Sequence, residues 1–146
     1  MLALPLHPRF VHFPVTLLVL SVVLYLLHLW RPRGWQGMPW ERLNLASLAL
    51  GWLMILPAAV TGLIDQNAIA LDSPARAVAS NHITAVFATV IAFGAALYLR
   101  LRRGAASDSA PNRWYVLALL LLGLVALINT GELGGRLVYE FGIGQR

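Results

Sequence analysis

The sequence contains no cysteine and no lysine, and charged residues fill only 12% of its 146 positions. Without cysteine there is no disulfide, thiolate metal site, iron–sulfur cluster, covalently attached c-type haem or cysteine nucleophile. The charged share is about half that of globular proteins and too small to cover the surface of a soluble domain of this length. Hydrophobic residues take its place at 59%, and the mean hydropathy is +0.72. Disordered chains have the opposite composition. Lipid is the solvent that suits this chain.

Four apolar stretches are long enough to cross a bilayer core of ~30 Å, which takes about 20 helical residues. They predict an all-α integral membrane four-helix bundle, a single domain over residues 1–146 with spans at about 10–30, 43–64, 78–99 and 114–133. The first run is too long for the apolar region of a cleavable signal peptide, and no basic segment precedes it in the expected layout. Ser73-Pro74 supplies a capping hydroxyl before a proline at a helix start, so a helix is expected from Pro74 to about Arg100. Pro57 falls inside the second span, where it should kink the helix or free a carbonyl. Trp30, Trp35, Trp40, Trp114 and Tyr115 lie near span ends, as in an aromatic belt.

The net charge of +5 and isoelectric point near 10.8 do not indicate nucleic acid, because the eleven arginines sit at the ends of apolar runs and not on one face. The connections 31–42 and 100–113 hold seven arginines against Glu41 and Asp108. On the other side Arg9, Arg76, Arg136 and Arg146 balance Asp65, Asp72, Glu132 and Glu140. The positive-inside rule then places both termini outside, which in a bacterium means a multi-pass protein of the inner membrane with periplasmic termini.

Most of the unusual polar residues collect on that outer side. His7 and His12 lie at the start of span one, Asp65 ends span two, and His82 opens span three. Asn129, Glu132, Arg136 and Tyr139 follow in span four. Only His28 among the histidines lies at the inner end, where it reads as an interfacial residue. Each polar residue by itself can simply mark where a helix meets water, and Glu132 and Arg136, four apart, can pair with each other. An intramembrane ionisable group costs roughly 2.5–3.5 kcal/mol on insertion scales, so a one-sided cluster calls for a use.

His12 and His82 are the pair singled out, since bundles build cofactor sites from inward side chains on facing helices. Two imidazoles on opposite faces of an iron porphyrin make a b-type haem with no open coordination position, an electron carrier. Arg9, Arg76 and Arg136 stand on the correct side for the propionates, and Asp65, Glu132 and Tyr139 form a supporting polar cluster. Small residues such as Ala58, Ala59, Gly62, Gly131, Gly134 and Gly135 leave room for a flat macrocycle or serve close helix packing.

Other readings stay open. A copper or zinc site from His7, His12, His82 and Asp65 or Glu132 is chemically reasonable. So is a proton relay through Asp65, His82 and Glu132. The chain also suits a non-catalytic accessory subunit of a respiratory or photosynthetic complex, with no cofactor. Expected partners are the lipid bilayer, a periplasmic cytochrome or larger membrane complex, and a second copy of the chain.

The run Leu6-His7-Pro8 followed by Val11-His12-Phe13-Pro14, then Thr61-Gly62 with Asp65, His82, Gly134-Gly135-Arg136-Leu137-Val138-Tyr139 and Gly142-Ile143-Gly144, resembles a bacterial membrane family known as domain of unknown function 2231. The resemblance covers nearly the whole chain, and its opening HPxxVHFP run is the most specific element. It implies a four-span membrane protein of unsettled activity. Some relatives are joined to c-type cytochrome modules, which implies a redox setting; this chain carries no such module.

Overall fold

In a computed structural model, residues 10–30, 37–67, 69–103 and 112–143 are described. Four helices account for most of them: α1 (His12–Trp30), α2 (Trp40–Gln66), α3 (Ala75–Arg103) and α4 (Asn112–Tyr139). All four are long and apolar enough to cross a membrane, and the described residues contain no strand. The protein is an all-α, four-span membrane protein. Helices α2 to α4 outrun the expected spans. With 27 to 29 residues each, they are about 40–44 Å long, so their ends reach the headgroup region on both sides.

Local sequence explains where the helices start and stop. The Ala75 N–H donates to Ser73 Oγ at 3.3 Å, the expected cap of α3. Helix α2 runs unbroken through Pro57, and the Thr61 hydroxyl donates to the carbonyls of Pro57 (3.0 Å) and Ala58 (2.9 Å). Gly142, at φ +67°, ends α4 in the left-handed conformation that a side chain disfavours, with its N–H on the Val138 carbonyl.

The helices form two antiparallel hairpins, α1–α2 and α3–α4, each closely packed along its length. The hairpins meet each other more sparsely, through α2 against α3 and α1 against α4, which leaves α1 and α3 diagonal. The end holding the α1–α2 and α3–α4 connections is called here the hairpin end; the other, where α1 starts and α4 stops, is the terminal end.

From mid-bundle to the hairpin end the two hairpins share one core of Leu18, Val22, Tyr25, Leu48, Phe93, Leu97, Val116 and Leu120. Lipid is as apolar as leucine, so this core is held by close packing and not by hydrophobic exclusion. Glycines supply the closeness. A Cβ on Gly123 would come within 2.8 Å of the Phe93 ring, and one on Gly51 within 3.0 Å of Leu18. Gly94 admits the Trp52 indole, whose N–H donates to the Val90 carbonyl at 3.0 Å and ties α2 to α3.

The hairpin end also holds polar groups that belong to no expected site. Arg100 is 3% exposed. Its guanidinium lies 3.7 Å from Glu41 Oε1 and 5.4 Å from the centre of the Tyr25 ring. The Tyr25 hydroxyl donates to the Arg113 carbonyl at 3.0 Å, and Asn44 Nδ2 donates to the Ser21 carbonyl at 2.8 Å. His28, in the last turn of α1, faces the bundle and not the surroundings: it is 7% exposed and packs beside Tyr25, with ring centres 6.0 Å apart. Val22 and Tyr25 share this face of α1, which turns into the core.

A candidate cofactor cavity at the terminal end

Toward the terminal end the shared core gives out and two cavities open between the hairpins. The first, about 420 Å³, is lined by all four helices and includes both His12 and His82. The second, about 320 Å³, lies mainly between α2 and α3 and includes Asp65, Gln66 and again His82. Both walls are otherwise mostly apolar, the usual character of a small-molecule site with a few fixed polar groups.

His82 is held from α4. Its Nδ1 lies 3.0 Å from the Thr130 carbonyl oxygen, which can only accept, so Nδ1 carries the proton in this contact. The neutral ring then has its lone pair on Nε2, the arrangement that metal-ligating histidines commonly adopt. Gly134 makes the approach possible, because a Cβ there would stand 3.2 Å from His82 Cε1. The hydroxyls of Thr89 and Thr130 face this region but donate back to the carbonyls of Ala85 and Ala126, both at 2.9 Å. The two hydroxyls also lie 3.3 Å from each other, so their hydrogen-bonding capacity is met between α3 and α4.

His12 is the first residue of α1, exposed, and reaches the same cavity from the diagonal helix. Gly131 and Gly135 line the cavity between them. A Cβ on Gly131 meets nothing within 4 Å, and one on Gly135 only Tyr139 at 4.0 Å, so these glycines leave open space where side chains would stand. The lining thus combines two imidazoles from diagonal helices, apolar walls and a glycine face on α4, residue types that suit a flat apolar group with a metal centre.

The other expected site residues divide. Tyr139 lines the His12–His82 cavity and Asp65 the α2–α3 cavity. Glu132 is exposed and lines neither. Arg136 pairs with Glu140 at 3.1 Å and not with Glu132, because a long cation near a helix end turns toward the nearer water. Arg76 donates to the Ile69 carbonyl at 3.1 Å and braces the α2–α3 connection. His7 and Arg9 lie outside the described residues. Among the described residues no three His, Asp or Glu side chains are grouped to hold a metal ion. The support of His82 by the Thr130 carbonyl was not foreseen; the one sequence signal was the glycine at 134.

The chain belongs to the family described as "Predicted membrane protein (DUF2231)", whose model matches residues 3–146. No curated protein and no solved structure matches it.

Proposed function

We propose that this membrane protein is a one-electron carrier that binds a b-type haem in the cavity lined by His12 and His82. One observation carries the reading: imidazoles from two diagonal helices line the same apolar cavity, and the His82 ring already has its Nδ1–H committed to a backbone carbonyl. Iron held by two histidines supplies reversible one-electron chemistry with no open coordination position. His82 and His12, from diagonal helices, would be the two residues that hold the iron. Gly131 and Gly135 would leave space for the macrocycle, and the apolar walls would keep water from it. Arg136, next to Gly135 on α4, is the described arginine nearest in sequence to this wall and would be the cation available to a propionate, in competition with Glu140.

The orientation follows from charge. The arginine-rich hairpin end faces the cytoplasm and the terminal end faces outward, the periplasm of a bacterial inner membrane. Electrons then pass at that face to a partner such as a cytochrome. Reduced-minus-oxidised visible spectra of the detergent-purified protein, supplied with haemin, test the reading. The expected result is a low-spin b-type spectrum in the wild type, lost in His12→Ala and in His82→Ala. A wild type without haem bands overturns the function, and bands that survive both substitutions overturn the ligands.

A further inference from the structure

The α2–α3 cavity shares His82 and one wall with the two-histidine site, but the rest of its lining has a chemistry of its own. Leu56, Leu63, Ile83 and Phe87 form much of its apolar wall, and Asp65 and Gln66 lie at its terminal end. Leu56, Leu63 and Phe87 are also exposed on membrane-length helices, so the cavity opens sideways toward acyl chains. A ligand enters it from the bilayer. An acyl chain fills the apolar part but offers nothing to the carboxylate and amide, which need hydrogen-bond partners once water is displaced. A carboxylate accepts hydrogen bonds, whereas the Gln66 amide both donates and accepts. The guest that answers both is a flat apolar ring bearing a hydroxyl donor and oxygen acceptors.

We propose that this cavity binds a lipid-soluble quinol, its ring hydroxyl on Asp65, a ring oxygen on Gln66 and its tail leaving past Leu56 and Leu63. Ile55, Ala59, His82, Val86, Gly134 and Val138 line both cavities, so the quinol would lie against His82 of the two-histidine site. Redox use of the quinol rests on the haem reading; its binding does not.

Native mass spectrometry of the full chain in detergent, incubated with decylubiquinol, tests the assignment because the adduct mass identifies the occupant. The expected result is a one-to-one quinol adduct. Ile83→Trp, which narrows only this cavity, should lower its occupancy about tenfold or more, and Asp65→Asn should weaken it several-fold, as loss of a hydrogen bond to a charged group does. Asp65→Asn should also narrow the preference for quinol over quinone. Gly131→Leu fills only the other cavity and should keep the quinol while losing the haem bands. Equal adduct formation in wild type, Ile83→Trp and Asp65→Asn overturns the proposal, as does a phospholipid adduct that decylubiquinol fails to displace. Asp65 is half-buried at a helix end, so that variant keeps the test decisive if Ile83→Trp does not fold. Haem bands without a quinol adduct defeat this proposal alone, and an adduct without bands defeats the haem reading alone.

Discussion

The two ends of the bundle use the same materials for opposite purposes. At the hairpin end and mid-bundle, glycines let Phe93 and Leu18 press against neighbouring backbone, and Arg100, Tyr25 and Asn44 join helices through buried polar contacts. At the terminal end Gly131 and Gly135 face open space, and the hairpins stand apart around two cavities. A glycine is therefore a packing device at 123 and a vacancy at 131. The difference teaches that in lipid, where apolar area alone does not drive helices together, the location of close contacts decides which half is rigid.

The largest expected effect comes from breaking the braced end. Arg100→Leu removes the ion pair with Glu41 and the cation–π contact with Tyr25. Loss of one member of a fully buried pair costs ~3–5 kcal/mol, and because the Glu41 side chain is 43% exposed, about 2–3 kcal/mol is expected here. Unfolding by denaturing detergent measures it. Gly123→Ala drives a methyl into the Phe93 ring and should cost about 1–2 kcal/mol in the same assay. Tyr25→Phe removes the hydrogen bond to the Arg113 carbonyl and should cost about 1 kcal/mol, with spectra of any bound haem unchanged. The smallest effect is the sharpest contrast: Gly131→Ala should leave stability unchanged or raise it by up to about 1 kcal/mol, since its methyl meets nothing and alanine favours helix. A loss at 131 equal to that at 123 would erase the distinction between the two ends.

The four helices were legible because long apolar runs leave few alternatives, and the cap at Ser73 was legible because its hydroxyl precedes a proline. Helix faces were not. A helix apolar all round gives no period to say which side meets protein and which meets lipid, so the burial of His28 and Arg100 could not be read from their places near span ends. Arg136 had glutamates four residues away on both sides, and spacing alone could not choose between Glu132 and Glu140. For the site, the sequence supplied His12 and His82 and the glycines around them. It could not supply their common cavity, which depends on α1 and α3 being diagonal, nor separate Asp65 into a second one.

The acceptor that orients His82 is a main-chain oxygen, which every amino acid at position 130 would provide. Substituting Thr130 leaves that anchor in place, so a scan of single substitutions would score the position as tolerant. Sensitivity moves instead to Gly134, where a Cβ would stand 3.2 Å from the imidazole and make the ring give by a few tenths of an ångström beside the carbonyl that holds it. The residue that makes the contact is thus hidden from mutation, and the residue that only makes room for it carries the constraint.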